Sequence, residues 1–139
     1  MSPAAERTAA SWARRQAHEL AVHRMDLEVA AGLAVTAVDP ELADDGVDEV
    51  LRVVVPRWAH TGPLATATAT VAVRSTDTGR AWTVRTARGD VRVDEGVPGV
   101  HPDARLEAPA GDLLRRLWGR PAEVTTTGDP AAGALLRGR

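Results

Sequence analysis

The 139-residue chain contains no cysteine, lysine, isoleucine, asparagine, phenylalanine or tyrosine. Without cysteine there is no disulfide, no thiolate metal ligand and no cysteine nucleophile, so any thiol chemistry would need an external thiol. The other missing residues are those encoded by AT-rich codons. Their absence reads as the coding bias of a GC-rich bacterial genome and not as physical design. A core must then be assembled from Val, Leu, Ala and four Trp. Long apolar runs are missing too. No stretch approaches the roughly 18 residues of a membrane-spanning helix, and the N-terminal MSPAAERTAASW has no hydrophobic signal core, so a cytoplasmic location is expected. Nor is there a basic excess: a net charge of −2, a pI near 6.1 and arginines spread along the chain argue against a nucleic-acid footprint.

What remains is 44% hydrophobic and 26% charged, a globular composition of a size to bury about 70% of its unfolded surface as one compact unit. A helical pattern starts at Ser2-Pro3, with Glu6 in its first turn, and runs to about Ala31, where Gly32 stops it. Asp39 caps a second helix with Pro40 at its first position; Leu42, Val47, Val50, Leu51 and Val54 form its apolar face and Pro56 is expected to end it. Gly46 weakens its middle by roughly 1 kcal/mol relative to Ala.

From Leu64 the period changes to two. ATATATVAVRS reads as a strand, Asp77 to Arg80 as a turn, AWTVRTA as the hairpin partner and VRVDE as a third strand after Arg88-Gly89-Asp90. Gly96 to Asp103 is loop. Arg105 to Ala108 is expected as an edge strand and Pro109 to Trp118 as a helix stopped by Gly119 and Pro121. Glu123 to Thr127 is the last strand, and Asp129-Pro130 opens a short helix through Leu136. The order predicts an α+β fold in which a long N-terminal helix (1–32) precedes an α+β unit (33–139) with a mainly antiparallel sheet covered by helices.

The first helix carries the main chemical hint. At about 100° per residue, Glu19, His23 and Asp26 share one face with Trp12 and Gln16, between stripes of apolar side chains. Carboxylate and imidazole at i and i+4 can grip one metal ion, although such a pair also occurs as a plain surface contact. His18 points about 100° away from Glu19 and reads as a packing or capping residue. His60 and His101 fall in loops, where a surface histidine is the simpler reading and a further metal ligand the alternative. Asp26 has Arg24 and Arg15 within reach as surface partners. Trp82 and Trp118 read as core. Asp44, Asp45, Asp48 and Glu49 read as a solvated acidic face with no calcium-loop spacing.

Three segments together resemble the mycothiol-dependent maleylpyruvate isomerase family: W-A-R-R-Q-x-H-E-x-A-V-H-R-x-D (Trp12 to Asp26), D-P-E-L-A-x-D-G-V-D-E-x-L (Asp39 to Leu51) and D-L-L-x-x-L-W-G-R (Asp112 to Arg120). The resemblance implies the last helix of a DinB-like metal-binding bundle followed by a C-terminal α+β domain similar to sterol carrier proteins. It implies a divalent metal, usually zinc, with Glu19 and His23 on the metal-ligand positions, Asp26 on a nearby acidic site position and Arg120 on an arginine that the C-terminal domain lends to the active site. It further implies mycothiol as thiol cosubstrate and a cis–trans isomerase or S-transferase activity. The family's remaining histidine ligand belongs to an earlier bundle helix. A truncated or stand-alone member is therefore expected to work with a separate bundle-bearing chain, or as a homodimer through its first helix. The alternative is a non-catalytic, sterol-carrier-like module holding a small ligand or a protein.

Overall fold

The computed structural model describes residues 8–138. Helix α1 (Ala9–Ala30) begins at Thr8, whose extended backbone and side-chain hydroxyl cap the Ser11 N–H. The described helix thus starts later than the expected Ser2-Pro3, which lies outside the described residues. Asp39 caps α2 (Pro40–Glu49) as its sequence predicts, accepting from the Leu42 N–H at 3.0 Å. Pro56 does not end this helix. The chain passes through a π-turn at Val50–Val54, where the Val55 N–H reaches back to the Val50 carbonyl, and continues as α3 (Val55–Trp58). The wider turn reassigns the carbonyls around the proline, which has no N–H to give and needs room for its ring.

Gly62–Ala65 is a 3₁₀ turn, so the first strand, β1 (Thr68–Ser75), starts later than the alternating pattern suggests. It forms a hairpin with β2 (Ala81–Ala87), and β3 (Asp90–Glu95) follows through a two-residue turn in which Arg88 and Gly89 both have positive φ. The next strand, β4 (Ala104–Ala108), corrects the expectation of an edge strand. It runs parallel to β1 on its free side, with β5 (Thr125–Gly128) antiparallel beyond it, giving the order β3-β2-β1-β4-β5. Its buried Ala104, Leu106 and Ala108 mark an interior strand. Helix α4 (Ala110–Leu117) links β4 to β5, and the short α5 (Pro130–Ala134), capped by Asp129, closes the described chain.

One sheet face is apolar. Val71 and Val73, Trp82 and Val84, and Leu106 meet Val47, Leu51 and Val55 of the α2–α3 run and Leu113, Leu114 and Leu117 of α4. The other face carries Thr70, Arg74, Arg85 and Arg105. The long N-terminal helix and the mainly antiparallel, helix-covered sheet are those of the expected α+β class. Gly46 explains itself here: a Cβ would stand 2.9 Å from Leu114 Cδ1 and 3.5 Å from His18 Cδ2, so its smallness lets α4 and α1 both approach α2.

Helix α1 lies on this unit through Ala21, Val22 and Met25, all buried. A buried ionic cluster sits beside them. His18 is only 2% exposed, with Nε2 2.9 Å from Asp45 Oδ2 and Nδ1 3.5 Å from Glu49 Oε1, contacts that do not follow the N–H directions. Arg14 donates to Asp45 Oδ2 (2.8 Å) and Asp48 Oδ2 (3.1 Å), while Asp48 Oδ1 accepts from Arg52 Nε (2.8 Å) and Trp82 Nε1 (3.1 Å). One carboxylate thereby ties α1, α2 and β2 together. The acidic run is not a solvated face: Asp44 and Glu49 are buried, and Asp45 and Asp48 are partly so. Burial works against the charge of both Asp45 and Asp48, yet the hydrogen bonds from Arg14 to Asp45 and from Arg52 and Trp82 to Asp48 hold both below the ordinary aspartate range.

Candidate functional site

The site is assembled from the middle and last turns of α1 and the segment that follows α4, which the sequence separates by about ninety residues. On α1, Glu19 and His23 sit one turn apart and are both exposed. On α4, the Trp118-Gly119-Arg120 segment forms a helix stop of the Schellman type. The Gly119 N–H bonds the Arg116 carbonyl and the Arg120 N–H bonds the Arg115 carbonyl, both at 2.9 Å, with Gly119 at φ +77°. No side chain fits at Gly119 in any case, since a Cβ would lie 2.5 Å from the Gly138 carbonyl oxygen. The turn throws Arg120 back toward α1.

Arg120 meets Asp26 edge to edge. Nε donates to Oδ1 at 3.1 Å and Nη2 to Oδ2 at 2.8 Å, while Nη1 donates to the Trp118 carbonyl at 2.7 Å. Asp26 therefore pairs across the fold with Arg120. Of the nearby arginines expected as partners, Arg24 pairs with Glu28 and Arg15 with Glu49. The Arg120 hydrogen bond is the main cause that holds the Asp26 carboxyl below its ordinary range, and the same bond raises Arg120. With Asp26 on one edge, the guanidinium keeps one N–H on each terminal nitrogen, a fork that suits a second carboxylate.

Glu19, Val22, His23, Trp118 and Arg120 line a cleft of about 220 Å³. The four residues singled out in the sequence thus come together, three along the cleft wall and Asp26 behind Arg120. Trp118, expected in the core, packs there edge-on to Trp58 with ring centroids 6.1 Å apart and also forms part of this wall. Trp82 is wholly buried. His18 belongs to the ionic cluster, and His60 and His101 are exposed on loops away from the cleft lining. Sequence reasoning missed the cluster because its partners are long-range; the signal available was the Asp48–Arg52 spacing of four, which runs from α2 into the π-turn and is a salt bridge in the structure.

The cleft can be tested for the metal that the family resemblance implies. Glu19 and His23 are suitable donors on one helix face, but Asp26 is spoken for by Arg120. Among the described residues no three His, Cys, Asp or Glu side chains group in a way that could hold a metal. A catalytic zinc takes three protein ligands. The donor set of the described residues does not fit a complete centre. Among the described residues no helix is long and apolar enough to cross a membrane.

A family model described as the MDMPI C-terminal domain matches residues 41–135. No curated protein sequence matches the chain. Among solved structures, a crystal structure of sterol carrier protein 2 is similar at 14% identity and a TM-score of 0.42, covering 68% of this chain and 88% of that one. Sterol carrier protein 2 like 2 from Aedes aegypti is similar at 18% identity and a TM-score of 0.36, covering 86% and 93%.

Proposed function

Since the chain belongs to the MDMPI C-terminal domain family, we propose that its cleft is one half of a thiol-dependent isomerase or transferase site. In this reading the described residues supply the substrate-orienting arginine and two metal ligands, and groups outside them supply the rest. The observation that carries it is the Asp26–Arg120 pair, which fixes a guanidinium with its free edge at a cleft walled by Glu19 and His23.

Arg120 would bind a carboxylate of a small unsaturated acid through its two remaining N–H groups, with Asp26 positioning it. Trp118 and Val22 would shield one side of the substrate. Glu19 and His23 would be the ligands this chain offers to a divalent metal, zinc by the resemblance, and a metal there would lower the pKa of a bound thiol. The thiolate of a cosubstrate, mycothiol by the resemblance, would add to the activated double bond. Rotation about the resulting single bond and departure of the same thiolate give the other isomer with no net redox change. In a transferase the carbanion left by the addition would take a proton from water and the thioether would persist.

The test is binding of maleylpyruvate to the full chain by calorimetry, compared with Arg120→Met. A loss of tenfold or more in the variant is expected; equal affinity would remove Arg120 from the site. A second reading, a small-ligand carrier, draws on a different cleft of about 350 Å³ lined by Met25, Val35, Val38, Pro109 and Arg115. It predicts binding that is indifferent to Glu19 and Arg120.

A further inference from the structure

The cleft of about 350 Å³ opens where α1, the connecting segment 33–38 and the start of α4 meet, and its volume lies at the small end of the roughly 300–1,000 Å³ range of ligand pockets. Met25 of α1, Val35 and Val38 of the connecting segment, Pro40 of α2 and Pro109 give it apolar walls. The connecting segment is pinned to α1, since the Thr36 N–H donates to the Glu28 carboxylate and the Leu33 N–H to the Glu28 carbonyl. Arg115 brings a guanidinium into this cleft. Its side chain is only 21% exposed, yet among the described residues it donates no hydrogen bond, and its 3.8 Å contact with Asp112 is too long for one. A charge sheltered from water without acceptors is costly unless something completes it. We infer that the cleft binds a small carboxylic acid, its carboxylate held by Arg115 and its apolar body by the walls. This rests on the small-ligand reading of the cleft and names the ligand's chemistry.

The charged groups around the cleft decide the sign of the ligand. Asp77 is already used: its Oδ1 accepts from the Ser75 hydroxyl at 2.9 Å and from the Ala110 N–H at 3.0 Å, so it serves the β1–β2 turn and the first turn of α4. Asp112 is the more exposed member of its pair with Arg115, and water reaches it more readily. The guanidinium is therefore the group left short of partners. Its planar fork takes a carboxylate through two parallel N–H···O bonds, which Asp112 does not make. The apolar body of the acid then replaces water against Met25, Val35 and Val38, a gain proportional to the area covered. An amine would make no use of Arg115, and an uncharged head group would gain less from it.

Gly111 leaves room for the ligand. It borders the cleft on α4, its φ is not positive, and a Cβ built there meets nothing within 4 Å. A larger side chain at this helical position fills space without backbone strain, which allows the cleft to be narrowed without touching Arg115. The cleft shares no lining residue with the one beside Asp26 and Arg120, so the two are separable by substitution.

The experiment is calorimetric titration of the purified full chain with octanoate, octan-1-ol and octylamine, which share one apolar chain and differ in head group. One octanoate should bind per chain, about tenfold or more tighter than either of the others, the scale of a charge-assisted hydrogen bond; this comparison needs no variant. Arg115→Met should bring octanoate down to the affinity of octanol and leave octanol within about twofold, with an unchanged circular dichroism spectrum. Gly111→Leu should weaken octanoate and octanol alike, and Arg105→Met, on the opposite sheet face, should behave as wild type. Octylamine binding more tightly than octanoate would give the cleft to Asp77 and Asp112 and overturn the proposal. Octanoate that binds no tighter than octanol, or equally well in Arg115→Met, would overturn the role of Arg115 while the small-ligand reading stands. Octanoate lost in Arg120→Met instead would place the acid in the other cleft and overturn the proposal. No binding of any of the three would overturn both it and the small-ligand reading.

Discussion

The sheet with α2 and α4, and helix α1 laid on it, are held by different forces. Between the sheet and its two main helices, the core residues from Val47 to Leu117 are almost all closed to solvent, and each large side chain buried there contributes about 1.5–3 kcal/mol. Helix α1 buries only Ala21, Val22 and Met25 among its apolar residues, and surrounds them with His18, Arg14, Arg15 and Asp26 in ion pairs. Partly exposed pairs of this kind contribute little each, typically 0–1 kcal/mol. The difference teaches that α1 is attached by a few apolar anchors and aimed by its charges. Such an element opens locally before the domain unfolds.

The largest effect should come from the apolar region. Leu106→Ala, on the interior strand β4 and wholly buried, should lower global stability by about 3–4 kcal/mol in urea denaturation, with α1 and sheet amides losing exchange protection together. A fall confined to α1 would break the comparison. Asp48→Ala comes next, at about 2 kcal/mol, because it leaves the buried Trp82 indole N–H without its acceptor and takes one carboxylate from Arg14 and Arg52, which keep Asp45 and the Val93 carbonyl, so both regions loosen.

Acid should separate the two regions. Asp26, Asp45 and Asp48 all titrate below their ordinary range in the folded protein. Their stabilising contribution is therefore complete above the unfolded aspartate value of about 3.9 and is lost as pH falls through the lower folded values. Amide exchange between pH 5 and 2 should show α1 opening before β1 and β2; simultaneous loss would mean that the charges do not aim the helix. Arg120→Lys, which cannot keep the two-point contact with Asp26, should cost about 0.5–1 kcal/mol and fray the end of α1 in the same measurement. Glu19→Gln should be the smallest change, within about 0.5 kcal/mol in stability, since the side chain is exposed.

Local rules carried much of the fold. The Asp39-Pro40 cap, the β1–β2 hairpin, the Arg88-Gly89 turn and the Gly119 stop all follow from residues close together in the chain. The failures were non-local. Pro56 breaks a regular helix, but nothing in its neighbours says that a π-turn will absorb it. Nothing within Arg105 to Ala108 says that β1 has a free side to pair with. The acidic run could be recognised as buried only by knowing that Arg14, more than thirty residues earlier, would reach it. The candidate site divides in the same way: the Glu19, His23 and Asp26 face is written in a spacing, whereas the meeting of Asp26 with Arg120 depends on where α4 ends.

The π-turn at Val50–Val54 has a consequence for how related sequences line up. A single wide turn acts as a one-residue insertion in a helix, shifting the phase of everything after it. A relative with one residue fewer between Glu49 and Val55 could wind this stretch as an ordinary helix and still present its apolar side chains to the sheet. Gaps in this region should therefore be placed inside the Val-rich run, not in the loop that follows Trp58. An alignment that moves such a gap downstream would pair residues about 100° apart around the helix along its whole last turn.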